Sequence, residues 1–354
     1  MCSRGAVGAG FPGGCFGQPP SMDHGAGHLG CPKRMVFGPC GGVRDDDGCE
    51  VADHRCVFLD QPLVEWPGAE ASRPGFPLAE CRPAVLADLS VDAYDPASVR
   101  RIVGILAPSS DGLLIGEHAN RPDFPPTMFA AEVLSAGGRP WTTLACRDRN
   151  RVVLEQELAG LAAVGVDGVL CVTGDARGPG VRTGVTQVFD LDGTRLAALA
   201  VAAGLTVAVP ESPEAPPAGL RPARVVVKQR AGAQLCVLNH VRSPEGVADF
   251  VAAARAAGAT VPFVASVAVY TDAPSARVLQ RFPGLRLDDA AVERVLTASD
   301  PRAAGIAAAV TEARALLAID GVVGVNLSGL GSDRGTEDGA LVKAAIADEL
   351  REAA

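Results

Sequence analysis

The chain has 354 residues, a length that suits one large domain with a smaller appendage. Its 32 basic and 41 acidic side chains leave a formal net charge of −9, which argues against a nucleic-acid backbone or an anionic membrane surface as partner. Hydrophobic residues make up 48% of the sequence but aromatics only 4%, so a large core is available and must be built mostly from Ala, Val and Leu.

Residues 1–80 are rich in Gly, Pro and Cys and show almost no periodicity. Such a segment cannot bury a conventional core, so it is expected to be either disordered or organised by metal. Its first residues, MCSRGAVGAGFPGGC, lack a continuous apolar stretch, and no secretory signal is read there. Nowhere does an uncharged apolar run reach the roughly 18 residues of a membrane span. A soluble, cytoplasmic protein is expected. In that reducing compartment the ten cysteines do not suggest a disulfide scaffold. Four of them, Cys31, Cys40, Cys49 and Cys56, fall close together among glycines and prolines that permit tight turns. Four thiolates suit tetrahedral zinc, and the same donors accept an iron–sulfur cluster. His54 is an alternative ligand, incidental cysteines on a flexible leader are the plain alternative, and Asp45–Asp47 reads as a solvated charge run.

From residue 83 onward short apolar runs alternate with Ala-rich helical patterns. Strands are predicted at 84–89, 112–115, 141–146, 168–173, 205–209, 236–239, 261–267 and 322–328. Helices are predicted at 96–106, 128–136, 151–163, 194–203, 244–257, 289–318 and 338–352. The short run Val225–Val227 fits either a strand or the start of a helix, and periodicity leaves that choice open. Eight such strands with helical crossovers predict an α/β fold of the (β/α)8 barrel type over 83–354, with a doubly wound open sheet as the alternative. In a barrel, function gathers at the C-terminal ends of the strands. Those ends carry Asp88, Glu117 with Asn120, Arg147 with Asp148, Asp175, Glu211, Asn239 and Ser328. Together they predict a polar, acidic mouth for a small organic ligand. Arg147, Asp148 and Arg149 also read as rim ion pairs. Cys146, Cys171 and Cys236 lie in apolar runs and read as core residues.

Two segments, TTLACRDRNR at 142–151 and AVGVDGVLCVTGD at 163–175, resemble methylenetetrahydrofolate reductase, a flavin-dependent barrel family of one-carbon metabolism. The likeness spans about residues 83–335. Residues 31–51, with CPK and GPCGG, look like the cysteine-rich module found with some reductases of that family. The resemblance implies an oxidoreductase acting on CH–NH groups, in which NAD(P)H reduces FAD and the flavin reduces 5,10-methylenetetrahydrofolate. Asp88 then matches the family's acid, a Glu, with one methylene less reach, and Glu117 is the substitute acid. Asp175 matches an Asp beside pterin and flavin, Asn239 a Gln on the pterin, and Lys228 a Lys on the flavin phosphates. Thr143 stands where the family has a flavin-side His, Val227 where it has an Arg, and Val209 where it has an aromatic residue. In the family the 225–227 segment is helical. Alternatives to the reductase are a folate-binding, C1-handling protein without hydride transfer, or a subunit that docks a partner reductase through its cysteines. The implied partners are folate and nicotinamide, with a homo-oligomer or partner subunit allowed.

Overall fold

The structure, a computed structural model, describes residues 30–68, 83–117, 122–177, 183–282 and 284–352. Asn120, Cys2, Cys15, Cys81 and much of the expected 1–80 module lie outside the described residues. In chain order the elements are β1 (Ala84–Leu89), α1 (Pro96–Leu106), β2 (Gly112–Ile115), α2 (Pro126–Ser135), β3 (Pro140–Ala145) and α3 (Arg151–Val164). Then come β4 (Gly168–Val172), α4 (Gly193–Ala202), β5 (Val207–Glu211), a 3-10 turn (Ala218–Leu220), α5 (Arg221–Arg230), β6 (Leu235–Leu238) and α6 (Pro244–Ala256). The chain finishes with β7 (Phe263–Tyr270), α7 (Ala273–Gln280), α8 (Asp289–Leu296), α9 (Pro301–Leu317), β8 (Val322–Gly331) and α10 (Thr336–Glu352).

All neighbouring strands are parallel and the sheet closes on itself, with β8 hydrogen-bonded to β1 through the register Leu86↔Asn326. This closure establishes the α/β barrel and removes the open-sheet alternative. Every strand is buried on both faces, so its side chains alternate between two different cores. Val85, Ala87, Leu113, Leu144, Val169, Val207, Cys236, Ala265 and Val325 point out to the helices. Leu86, Leu114, Trp141, Leu170, Leu235, Val237 and Val264 fill the barrel interior. With so few aromatics, one residue does much of that filling. Trp141 is 1% exposed, and a Cβ on Gly168 of β4 or Gly112 of β2 would collide with its indole. Those two glycines are therefore the seats of the ring.

The helices begin where acidic or hydroxyl caps precede proline. Asp95 before Pro96, Ser243 before Pro244, Asp272 at Ala273-Pro274 and Asp300 before Pro301 each accept a backbone N–H of the first turn. The same pattern corrects the expected 289–318 helix, which is two helices. Asp300 caps Ala303 N at 3.1 Å and Pro301 opens α9, so the chain breaks between α8 and α9. Residues 225–227 are helical, inside α5, because Val225 packs into the outer core and Val227 against Phe37 and Trp66. Helix α7 was not anticipated; its capping box at Asp272 and Ser275 is a local signal that the short run 273–280 concealed. Among the described residues no helix is long and apolar enough to cross a membrane.

Replacing Trp141 with Ala should cost about 3–5 kcal/mol, because Gly112 and Gly168 offer no side chain to collapse into the void. Urea unfolding followed by circular dichroism would read this as a lowered midpoint; an unchanged midpoint would mean that the interior is not held by this ring.

Candidate functional site

At the C-terminal end of the barrel, strand parity decides which polar side chains face inward. Asp88 of β1 lies on the face of Leu86, Thr143 of β3 on that of Trp141, and Asn239 just past β6 on that of Val237. Asn326 of β8 and Ser266 of β7 are register partners on this inner face as well. The Asp88 carboxylate accepts a hydrogen bond from Asn326 Nδ2 at 2.8 Å and from the Gly329 N–H at 3.2 Å. Its backbone carbonyl accepts from the buried Lys343 Nζ of α10 at 2.7 Å. Burial pushes the Lys343 amine down to about 8, against the pull of Asp88. Asn239 donates to Ser212 Oγ at 2.8 Å, and Thr143 is buried.

Sequence reasoning passed over His240. It is 2% exposed, and its ring lies within hydrogen-bonding reach of the Ser266 main chain. Burial pushes its imidazole down to about 4 despite the opposing influence of the Asp88 carboxylate, so the ring is neutral at pH 7. Asn326 Oδ1 is buried without a hydrogen-bond partner among the described residues. Continued strand alternation would send residue 240 outward, but β6 ends at Leu238 and the rule lapses there.

Asp175 lies in the loop after β4, open to solvent yet crowded by protein on most sides. Burial raises its carboxyl above the usual range, Lys33 and Arg147 draw it down, and Glu50 raises it. Among the described residues no hydrogen bond joins Asp175 to Asp88 or Asn239. The three occupy one rim on β4, β1 and β6. Glu117, whose carboxyl is raised by burial and lowered by Arg149, is paired to that Arg149 at 2.8 Å, and Arg147 to Asp148 at 2.9 Å. These are the rim ion pairs expected from the sequence.

The cysteine segment lies on this same end of the barrel. Lys33 Nζ donates to the Gly174 carbonyl at 2.8 Å and pairs with Glu50, whose carboxylate accepts from the Ala176 N–H at 2.5 Å. Lys33 and Glu50 thus grip the residues on either side of Asp175. Val36 N donates to Asp192 Oδ2 at 3.0 Å, and Arg221 Nη2 donates to the Cys40 carbonyl at 2.9 Å.

Glu211 and Lys228 are not mouth residues. Glu211 shares the outward parity of Val207 and Val209, and its side chain, 1% exposed, meets Lys228 at 2.7 Å, Arg221 at 3.3 Å and Arg224 at 3.4 Å. Burial would raise this carboxyl, but the three cations hold it well below the usual carboxylate range. Lys228 Nζ also donates to the Pro210 carbonyl. The ammonium that the resemblance assigns to flavin phosphates is therefore already spent, and Val227, Phe37, Trp66 and Ala231 cover the neighbouring face. These residues do not fit a flavin diphosphate.

Cys31, Cys40, Cys49 and Cys56, together with His54, line one cavity of about 20 Å³, enough for a single water-sized sphere. All four thiols are free and partly buried. Burial raises Cys31 and Cys56, and the neighbouring charges of Cys40 and Cys49 raise them further. Among the described residues no group of three or more His, Cys, Asp or Glu side chains is placed to hold a metal ion.

No family model matches the chain, and no curated protein does. Solved structures resemble it as folds. An uncharacterized protein from Clostridium thermocellum that binds two copies of 5-methyl-5,6,7,8-tetrahydrofolic acid shares 12% identity with a TM-score of 0.57, over 77% of this chain and 96% of that one. A 2,3-dimethylmalate lyase of the PEP mutase/isocitrate lyase superfamily shares 13% over 71% of this chain and 76% of that one, with a TM-score of 0.42. Thiamine phosphate pyrophosphorylase from Pyrococcus furiosus shares 14% over 77% and 98%, with a TM-score of 0.39. At these identities the likeness is one of fold. The expected oxidoreductase activity is corrected here: the lysine that the resemblance assigns to the flavin phosphates is committed to Glu211 and the Pro210 carbonyl.

His240 gives the site a pH signature. Its folded imidazole takes a proton only near pH 4, whereas an unfolded one does so near 6.5. Between those values the unfolded state binds more protons, so this group's contribution is complete above about pH 6.5 and lost by about pH 4. The loss should be of order 3 kcal/mol. Urea titrations at several pH values should show that component in the native chain and lack it in His240→Gln; parallel profiles would place His240 in water.

Proposed function

We propose that this barrel binds a reduced folate, with the pteridine entering the C-terminal mouth between Asp88, Asn239 and Asp175, and that it handles the one-carbon unit without flavin-borne hydride transfer. The observation that carries the reading is the inward-facing acid–amide pair of Asp88 and Asn326 in a barrel whose solved counterpart binds 5-methyltetrahydrofolate. A pteridine is a flat ring with several N–H donors and a lactam oxygen. Carboxylates and amides on a preformed wall suit it, because they accept and donate in the plane of the ring. Asp88 is held by two donors within the barrel, so it can meet a ligand nitrogen without reorganising. Asp175 sits at the solvent side, where an accessible carboxylate can accept from ligand N–H groups. Asn239 contributes the remaining face of its amide.

The cysteine segment in this reading is a metal-stapled cover over the β4 side of the mouth. Cys31, Cys40, Cys49 and Cys56 would hold zinc or iron, and the ion would supply structural cross-linking of a segment that has little core of its own. Its role toward the barrel falls to Lys33 and Glu50, which fix the backbone around Asp175.

Calorimetric titration of the full chain with 5-methyltetrahydrofolate tests the first part. Binding is expected, weakened about 10-fold in Asp175→Asn, which keeps the shape but loses the charge-assisted bond. Absence of heat at millimolar ligand would sink the reading. For the module, elemental analysis should find stoichiometric zinc or iron that is lost in Cys40→Ser while the barrel's circular dichroism persists. Unaltered metal content in that variant would refute the ligand set.

A further inference from the structure

We infer that the cavity between the loops after β7 and β8 is a binding site for a free α-amino acid with an apolar side chain. The inference is independent of the folate reading, since none of Asp88, Asn239 and Asp175 lines this cavity. It measures about 360 Å³, within the range of sites that take small organic molecules. Among its lining residues Asp272 follows β7, Leu296 ends α8, Asp300 and Pro301 open α9, and Arg334 follows β8. The walls are preformed. Thr271 Oγ1 donates to the Gly331 carbonyl at 2.8 Å and the Asp333 N–H to Asp272 Oδ2 at 2.9 Å, which stitches the two loops together. Gly305 lets α9 lie against the end of β7, where a Cβ would strike the Tyr270 carbonyl.

The ligand class follows from the charges that the protein leaves over. Both Asp272 oxygens are filled, Oδ1 by the Ser275 N–H at 2.9 Å and Oδ2 by Asp333 N and Ser332 Oγ. Asp300 caps α9 with Oδ1 alone, 3.1 Å from Ala303 N, and its other oxygen accepts no hydrogen bond among the described residues. Arg302 gives Nη1 to Asp338 Oδ1 at 2.9 Å. The Arg334 guanidinium has no ion pair or hydrogen bond among the described residues; its main-chain N–H alone is engaged, with Ser332 Oγ at 3.2 Å. What remains is one whole guanidinium, part of a second, and one carboxylate oxygen. A guanidinium takes a carboxylate on its paired N–H groups, and the Asp300 oxygen takes an ammonium. Leu296, Pro301 and Ala273 supply apolar surface for a side chain. A phosphate suits the site poorly, because N–H groups at the starts of α7 and α9 are already given to Asp272 and Asp300.

Calorimetric titration of the full chain with L-leucine tests the assignment. Saturable binding is expected, weakened at least about 10-fold in Arg334→Gln and in Asp300→Asn. The Arg334 side chain has no partner to lose and asparagine still caps a helix, so both variants should keep the native circular dichroism. L-Leucinamide, which lacks the carboxylate, and N-acetyl-L-leucine, which lacks the ammonium, should each bind the native chain at least about 10-fold more weakly than leucine. The amide should lose little more in Arg334→Gln, and the N-acetyl compound little more in Asp300→Asn, because each pair removes the same contact twice. No saturable heat at about 10 mM leucine, or an affinity within about 2-fold of native in either variant, overturns the assignment. Tighter binding of inorganic phosphate than of leucine overturns it as well, making the cavity an anion site.

Discussion

The Glu211 carboxylate and the three cations around it hold the two parts of this molecule in one arrangement. Arg221 reaches from α5 with Nη1 to both Glu211 and the Pro39 carbonyl, with Nε to the Ala215 carbonyl and with Nη2 to the Cys40 carbonyl. Arg224 does the same for Glu211 and the Phe37 carbonyl. A buried carboxylate of this kind is tolerable only when its charge is matched and its lone pairs are filled. Here the match is excessive, three cations to one anion, and the surplus positive charge is spent on backbone oxygens of the cysteine segment. The Phe37–Trp66 pair, with ring centroids 5.2 Å apart, adds apolar cover over Val227. The cysteine segment is therefore docked by ion-dipole bonds at β5 and α5 and reaches from there to the β4 loop.

That docking explains why residues drawn from a resemblance to flavin enzymes do something else here. Lys228 is consumed by Glu211, and the neighbouring helix face by the contact with the chain's own N-terminal segment. Val227 lacks the charge to hold a phosphate and fits Phe37 and Trp66 instead. The cysteine segment also reaches the β6 and β7 side, where Asp45 pairs with Arg286.

Much of the fold was legible. The bounds of β1, β2 and α1 follow directly from the sequence, because each is a continuous apolar run or an Asp-Pro start bounded by turn residues. The division between α8 and α9 was equally visible in Asp300-Pro301 but was overridden by the long Ala-rich pattern around it. The helix at 225–227 could not be read locally, since three consecutive valines favour a strand and only packing on both sides makes them helical. For the site, strand ends located Asp88, Asn239 and Asp175 on one rim, as barrel topology requires. Parity along β5 would have shown that Glu211 faces away from the mouth, with Val207 and Val209 on the same side. His240 had no such signal, because it follows the last paired residue of β6 and its direction is set by the loop rather than by the pleat.

The indole of Trp141 between Gly112 and Gly168 has one more consequence. It fills the barrel from within, so the interior is a packed core and not a passage from one end to the other. The two ends of the barrel are therefore separate surfaces, and what the loops and the segment held by Lys33 and Glu50 gather at the C-terminal end does not communicate along the axis with the other.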